Sequence, residues 1–238
     1  MRPRVVELSA HRAVESQHVV STRKLVDSDE EQYLLEELIE RVKPPAPESS
    51  GLHYLLYTPF RHAPLRWGSR FGTSLERGIW YGSKEQATCF AEIAFYRLLF
   101  LDGTSADLGP ITVELTSFVA LVRGRRALDL TRPPFAEHDA ALASKTSYAA
   151  THALGKEMRA SGVDLFLFRS ARAPKKGTNV GLLVPAFARN VPKQYEAWIC
   201  TADRDKVEFS RKSFTRTGKR FTFPRVAFEV AGKLPTPA

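Results

Sequence analysis

Short strand patterns outnumber helical patterns along this sequence, and the two kinds do not alternate regularly. Runs rich in β-branched and aromatic residues predict strands at 54–58, 78–82, 111–122, 127–130, 163–168, 180–184, 195–200, 207–209 and 220–230. Helical spacing of apolar residues predicts helices at 29–42, 84–100 and 137–160. A doubly wound parallel sheet needs regular alternation of strand and helix, so we expect an α+β fold with a mixed, largely antiparallel sheet flanked by a few helices.

The first predicted helix has clear signals at both ends. Ser28 with Glu31 forms a capping box, and the proline-rich segment 43–47 cannot continue a helix because proline lacks an N–H and restricts the residue before it. The segment reads as a linker. It divides the chain into an N-terminal helical extension and linker over residues 1–50 and a main domain over 51–238.

Similar signals bound the other helices. Ser83 with Gln86 forms a second capping box at the start of the helix 84–100. Gly162 follows the helix 137–160 and suits the left-handed conformation that ends many helices.

Composition restricts the protein class. A chain of 238 residues with 43% hydrophobic and 26% charged residues can bury one main core. The two cysteines and six histidines show no ligand-like spacing, so no metal is expected. Charged residues interrupt the apolar residues of 1–20, and no apolar run of about 18 residues occurs in the sequence. We therefore expect a cytoplasmic protein without a signal peptide or a membrane span.

The chain is basic, with a formal net charge of +9. This charge permits an anionic partner, such as a nucleic acid, an acidic protein or a phosphorylated small molecule, but it is equally accounted for by general solubility. The common dinucleotide, P-loop, hydrolase-elbow and zincin motifs are missing from the sequence. The chemistry must therefore come from another set of residues.

Four arginines lie in the Gly-containing connection before the strand at 78–82: Arg61, Arg66, Arg70 and Arg77. Guanidinium groups with backbone N–H donors can hold a pyrophosphate through charge-assisted hydrogen bonds. The alternative is an ordinary solvated loop.

Glu92 is the most informative acidic residue. It shares one face of its predicted helix with Cys89, Phe95 and Tyr96, and an ionised carboxylate among apolar neighbours is costly unless a polar or cationic group meets it. We expect a carboxylate that faces a cleft and stabilises positive charge developing on a sugar. A paired surface glutamate is the alternative.

The adjacent aromatic pair Trp80 and Tyr81 should point to opposite sides of its strand. One ring is expected in the core, and the other could stack on a flat heteroaromatic ring.

In combination these segments resemble the RES-domain family. The ordered set comprises an early strand ending in Arg, an Arg-Phe-Gly loop, a Gly-x-x-Tyr strand, an Ala-Glu pair about eleven residues later, YAATHALG at 148–155, GVDLFLFRSAR at 162–172 and NVGLLV at 179–184. The resemblance covers roughly residues 54–188. It implies a RES-like catalytic domain at 51–238, a fold similar to ADP-ribosyltransferase toxins, and a toxin of a bacterial toxin-antitoxin pair that degrades NAD.

The resemblance also implies the site residues. Arg61 matches the strand arginine, Arg70 the loop arginine, Tyr81 the aromatic residue, Glu92 the helical glutamate and Ser170 the serine, with Ser147 as the alternative serine. His152 stands where many members carry Gln, and Arg169, Arg172 and Asn179 surround Ser170 with donors suited to phosphate. The expected catalytic set is Glu92, Arg61 and Ser170, and the expected NAD-binding set is Arg61, Arg70, Tyr81, Ser147, His152 and Asn179.

The resemblance implies cleavage of the nicotinamide-ribose bond without a resident cofactor. NAD is then expected as the substrate, and the expected acceptor of the ADP-ribose is either inorganic phosphate or water. The implied partner is an Xre-type antitoxin, nucleic acid is expected only through that antitoxin, and the sequence leaves self-association open. ADP-ribosyl transfer to a macromolecule and a basic nucleic-acid-binding module are the alternative functions.

Overall fold

The computed structural model of the chain describes residues 4–16, 22, 25–44, 51–62, 66, 68–213 and 218–236. Eight strands form one sheet: β1 Arg4–Glu15, β2 Trp80–Ser83, β3 Ile111–Asp129, β4 Leu165–Arg169, β5 Thr178–Leu182, β6 Lys193–Ala202, β7 Lys206–Arg211 and β8 Arg220–Pro224. Five α-helices flank the sheet: α1 Asp29–Val42, α2 Tyr54–Arg61, α3 Gln86–Asp102, α4 Asp139–Leu142 and α5 Ala149–Ala160. The predicted α+β class is confirmed.

The long strand β3 organises the sheet. One of its edges pairs with β1, and the other pairs with β6 and then with β4. Strand β1 also pairs with β2, β2 pairs with β5, and β5 pairs with β4. Strands β1, β2, β5, β4 and β3 therefore form a closed ring of paired strands. Strands β6, β7 and β8 extend from β3 outside this ring. The β3–β4 pair is parallel and the other described pairs are antiparallel, as the sequence predicted.

The N-terminal segment contributes directly to this sheet. Strand β1 pairs with β3 from Leu115 to Ala127, and the sequence analysis missed it, although its residue Ala10 is fully buried. The helix α1 lies where it was predicted, with Glu31 N donating to Ser28 Oγ over 3.1 Å, but it has no buried residue. The division at residue 50 remains a prediction, and residues 45–47 of the predicted linker lie outside the described residues.

The strand predicted at 54–58 is wrong, because these residues form the helix α2. Its buried residues are Leu55, Leu56 and Phe60, at the spacing of one helical face, and a short apolar run does not distinguish a helix from a strand by itself.

The helix predicted at 137–160 is interrupted. A 3-10 turn, Phe135–His138, and the short helix α4 precede a non-helical segment before α5 begins. In that segment Ser144 Oγ accepts hydrogen bonds from the backbone N–H groups of Thr146 and Ser147, which compete with helical bonding. The predicted end of α5 is confirmed, since Gly162 has φ of +66°.

Other predicted boundaries also differ from the structure. The strands predicted at 111–122 and 127–130 are one strand, β3, and the strand predicted at 220–230 ends at Pro224. The capping box at Ser83 is wrong, since Glu85 is the N-cap of α3 and makes no side-chain capping bond. The hydroxyl of Ser83 instead donates to Asn179 Oδ1 over 2.7 Å.

The core has three parts that hold the functional elements in place. Helix α3 packs its buried Phe90 and Phe95 against the branch of the sheet that contains Trp198 and Phe209. Trp80 packs in a second cluster with α2, whereas Tyr81 contacts a third cluster around Phe71, Phe166 and Phe168. The two adjacent rings therefore point to opposite sides of β2, as their alternation predicted.

Candidate active site

Glu92 lies in the middle of α3 and is half-buried. Its Oε1 accepts one hydrogen bond from Ser170 Oγ and one from Asn179 Nδ2, each over 2.6 Å. Ser170 and Asn179 are both only 4% exposed. Hydrogen bonds that involve a carboxylate are short and strong, so these two donors fix the orientation of the Glu92 side chain.

A hairpin delivers both donors to the helix. Ser170 directly follows β4, and Asn179 lies in β5 opposite Phe168. The connection between the two strands passes very close to α3, since a Cβ added at Gly177 would lie 1.8 Å from Thr88 Oγ1. Glycine at 177 therefore permits the approach that brings the hairpin to Glu92.

A second contact holds each donor. Ser170 Oγ accepts hydrogen bonds from the backbone N–H groups of Arg172 and Ala173, at 3.0 Å and 2.8 Å. Asn179 Oδ1 accepts from Ser83 Oγ, which assigns the Asn179 amide so that its nitrogen faces Glu92. The three residues are thus pre-organised without a bound ligand.

Arg172 lies beside this group and is 2% exposed. Its guanidinium carbon is 3.5 Å from the centroid of the Phe95 ring, and its Nη2 donates to the carbonyl of Lys145 over 3.2 Å. Burial lowers the pKa of Arg172, and the nearby Tyr148 and Glu92 oppose this change. The sequence analysis placed Arg172 near Ser170 but did not include it in the site; the Ser-Ala-Arg motif was the signal for it.

Arg70 is the second buried guanidinium near the site, at 8% exposure. Its Nη1 donates to the carbonyls of Leu142 and Ser144, at 3.3 Å and 2.9 Å, and its guanidinium lies 4.8 Å from the Tyr148 ring. Of the other loop arginines, Arg66 and Arg77 are exposed and Arg61 is half-buried. Arg70 is therefore the most buried of the four loop arginines.

Tyr81 and His152 contact the segment that carries Arg70. The hydroxyl of Tyr81 accepts from Phe71 N over 3.2 Å and bonds Ser69 Oγ over 3.0 Å, and His152 Nε2 lies 2.8 Å from the carbonyl of Ser69. Burial raises the pKa of Tyr81 to about 12, so the phenol stays neutral at physiological pH. Both side chains fix the position of the Arg70 loop.

Arg61 and Ser147 make other contacts. Arg61 ends the helix α2 rather than a strand, and it pairs with Glu40 of α1 over 3.0 Å and donates to the carbonyl of Pro44. Ser147 is exposed, and its hydroxyl accepts from Ala149 N. Within the part of the chain that the structure describes, no hydrogen bond or ion pair joins either residue to Glu92. Of the two candidate serines, Ser170 is the one bonded to the carboxylate.

An open cavity of about 370 Å³ adjoins Ser170 and Arg172. Its charged lining residues are Lys145, Arg169, Arg172 and Lys176, against the single carboxylate of Asp139. A search of the described residues finds no group of three or more His, Cys, Asp or Glu placed to hold a metal ion. None of the described helices is both long and apolar enough to cross a membrane.

Together the fold and the site define an α+β protein in which a helical carboxylate, held by two neutral donors, lies near a buried guanidinium group. The model of the RES domain family matches residues 41–203, so the chain belongs to the RES-domain family, and the resemblance read from its motifs is confirmed. Among solved structures, a chain of the crystal structure of the M. tuberculosis MbcT-MbcA toxin-antitoxin complex is similar at 11% identity, with a TM-score of 0.46 over 82% of this chain and 85% of that chain. None of the curated proteins matches the sequence.

Proposed function

We propose that this protein is the toxin of a toxin-antitoxin pair and that it degrades NAD by cleaving the nicotinamide-ribose bond. Membership of the RES-domain family supports the proposal. The observation that carries it is the Glu92 carboxylate, which Ser170 and Asn179 hold near the buried Arg172. Cleavage of a glycosidic bond requires a fixed negative charge at the ribose, and a dinucleotide requires cations for its pyrophosphate.

Glu92 performs the central electrostatic role. As the bond between nicotinamide and the ribose C1″ breaks, nicotinamide leaves with the electron pair and the ribose becomes oxocarbenium-like. The Glu92 carboxylate stabilises that positive charge. Both hydrogen bonds to this side chain reach Oε1, and no described residue bonds Oε2, which leaves the second oxygen for the ribose.

The arginines bind the remainder of the substrate. Arg70 and Arg61 are assigned to the pyrophosphate, and Tyr81 and His152 hold the loop that carries Arg70. The acceptor of the ADP-ribose is inorganic phosphate or water. In either case an oxygen of the acceptor bonds C1″ as the bond to nicotinamide breaks.

The partner proposed for this toxin is an Xre-type antitoxin that closes the site. No cofactor enters the reaction, since NAD is consumed as a substrate. Transfer of the ADP-ribose to a macromolecule would follow from the same bond cleavage. Labelled NAD distinguishes this transfer from NAD degradation, because only transfer leaves the label on a macromolecule.

The test measures nicotinamide released from NAD by the purified chain, with and without phosphate. We expect release by the wild-type protein and a loss of roughly 100-fold or more in Glu92→Gln, which keeps the shape of the side chain but not its charge. The matched control is Glu157→Gln, since Glu157 is an exposed residue of α5. A folded wild-type protein that releases no nicotinamide defeats the proposal. Label from NAD that appears on a macromolecule would assign ADP-ribosyl transfer instead.

A further inference from the structure

The helix α1 presents an apolar stripe to solvent. Leu34, Leu38 and Val42 follow one another at four-residue spacing, so their side chains lie along one face of the helix. They are 54%, 48% and 83% exposed, and none of the fourteen residues of α1, all of which the structure describes, is buried. An amphipathic helix of a globular protein normally turns such a stripe towards the core. We call these three exposed residues the α1 stripe.

The contacts that attach α1 to the domain lie on its other side. Glu40 accepts from Lys43 Nζ over 2.6 Å and pairs with Arg61 of α2 over 3.0 Å. Glu40 comes two residues after Leu38, and at about 100° per residue it points to the opposite side of the helix. The helix is therefore attached through one side and exposes the α1 stripe on the other.

The helix also lies almost entirely outside the RES domain. The family model begins at residue 41, one residue before the end of α1. None of the three core clusters formed by the described residues contains a residue of this helix. A helix shorter than about 15 residues is marginal in water by itself, and tertiary packing usually stabilises it. Packing against a surface outside its own chain would supply that stability.

The α1 stripe is geometrically complementary to itself. A two-fold dimer requires that residue i of one copy contacts residue j of the other and that j contacts i. In an antiparallel helix pair with the axis at Leu38, this residue meets Leu38 of the second copy, and Leu34 meets Val42 in both directions. All three residues of the stripe then lose solvent contact together, which is favourable because each is apolar.

The charges beside the α1 stripe are complementary as well. Glu37 and Arg41 each follow a leucine of the stripe by three residues, so they border it, and they form an ion pair over 2.6 Å. In the antiparallel pair this border lies against the same border of the second copy. Each Arg41 then comes within one helical turn of Glu37 of the other copy, and the shared border is neutral overall.

The first turn of the helix decides the direction of pairing. Asp29, Glu30 and Glu31 make this turn acidic, whereas the last turn contains Arg41. A parallel pair would bring the acidic first turns of both copies side by side, where like charges repel. An antiparallel pair keeps the two first turns at opposite ends and also aligns the helix dipoles favourably.

We propose that this chain self-associates through α1, which forms an antiparallel helix pair with α1 of a second copy about a two-fold axis at Leu38. The inference does not depend on the proposed function. Each helix is only about 21 Å long, so the interface is small. We therefore expect a weak dimer with a Kd on the order of 10 µM.

Sedimentation equilibrium of the full chain, from about 1 µM to about 1 mM, tests the association. We expect the wild-type protein to pass from monomer to dimer over this range. Leu38→Glu places two carboxylates at the axis and should raise the Kd at least about 100-fold. The matched control is Tyr33→Glu, since Tyr33 is 72% exposed on the same helix but points away from the stripe, and it should dimerise like the wild type.

Disulfide cross-linking tests the geometry without a charge in the interface. Under a mild oxidant Leu38→Cys should form an interchain disulfide and Tyr33→Cys should not, because only position 38 meets itself at the axis. Leu34→Cys should cross-link to Val42→Cys when the two proteins are mixed, but neither should cross-link to itself. The native thiols of Cys89 and Cys200 are buried and do not compete.

Three results would overturn the proposal. The first is a wild-type protein that stays monomeric up to about 1 mM, since a helix pair of this kind should form below that concentration. The second is a dimer that Leu38→Glu leaves intact, or that Tyr33→Glu weakens as much as Leu38→Glu does. The third is cross-linking of Leu34→Cys to itself as readily as to Val42→Cys, which would exclude the antiparallel arrangement.

Discussion

The hydroxyl of Ser170 donates a 2.6 Å hydrogen bond to the carboxylate of Glu92, although the two residues are 78 positions apart in the chain. The contact joins the middle of α3 to the end of β4. Ser170 also accepts two backbone N–H groups, so the hydroxyl has little freedom to turn away from the acid. In this geometry Ser170 acts through Glu92 by fixing where its charge lies.

Ser170→Ala should lower kcat for nicotinamide release roughly 10- to 100-fold with little change in KM, because the carboxylate loses a positioning contact. The variant also leaves buried groups without a partner, at a cost of about 1–3 kcal/mol in unfolding free energy. Steady-state kinetics and chemical denaturation measure the two effects.

Ser147→Ala is the control for this prediction, since Ser147 is exposed and bonds only its own segment in the described part of the chain. We expect near wild-type kinetics. Loss of activity in Ser147→Ala but not in Ser170→Ala would assign the catalytic serine to Ser147.

Asn179→Asp places a second carboxyl group against Glu92 at the 2.6 Å contact. The negative charge of Glu92 should raise the pKa of the introduced carboxyl in the folded state above its unfolded value. Stability is then retained at low pH and lost as the pH rises through that raised pKa. Thermal unfolding at pH 5 and pH 8 should show the larger drop in Tm, relative to wild type, at pH 8.

Asn190→Asp introduces the same charge at an exposed position and should show no such difference between the two pH values. An Asn179→Asp protein that loses equal stability at both pH values would show that its defect is steric rather than electrostatic.

Arg61→Gln should lower kcat/KM for NAD about tenfold through KM, because the proposed function assigns Arg61 to the pyrophosphate. Its ion pair with Glu40 is weak, because Glu40 is exposed and solvent screens the interaction, so the pair does not prevent Arg61 from binding a substrate. Glu40→Gln should therefore change kcat/KM by no more than about twofold. If Arg61→Gln and Glu40→Gln lower kcat/KM equally, Arg61 only joins α1 to α2 and does not bind the pyrophosphate.

Alkaline pH should destabilise the fold through three buried groups. Burial raises the pKa of Cys89 to about 12, of Cys200 to about 11 and of Tyr81 to about 12, from ordinary values of 9.0 and 10.0 for Cys and Tyr. The unfolded chain releases these protons first, so the unfolding free energy should fall as the pH rises above about 9.

The cysteines allow an independent measurement of this effect. A thiol reagent at pH 8 should label neither Cys89 nor Cys200 in the native protein and both in denaturant, because the reactive form is the thiolate. Rapid labelling of the native protein at pH 8 would contradict the burial of the two thiols.

Local sequence information was sufficient for several elements. The capping pair Ser28 and Glu31 predicted the start of α1. The predominance of strand patterns that do not alternate with helices predicted the α+β class. The alternation of side chains along a strand predicted that Trp80 and Tyr81 point to opposite sides of the sheet. These features depend on neighbours a few residues apart, which is the range over which propensity and periodicity act. The acid at Glu92 also stood out locally, as a carboxylate on an apolar helical face.

The remaining features required the tertiary structure. Packing made 54–58 a helix, although its apolar run fits either structure, and pairing with β3 made 4–15 a strand. The family resemblance offered two serines, and only the β4–β5 hairpin, brought close to α3 by Gly177, showed that Ser170 bonds Glu92. The burial of Arg172 could not be predicted from the sequence, because whether a cation is buried depends on residues that are distant in the chain and adjacent only in the fold.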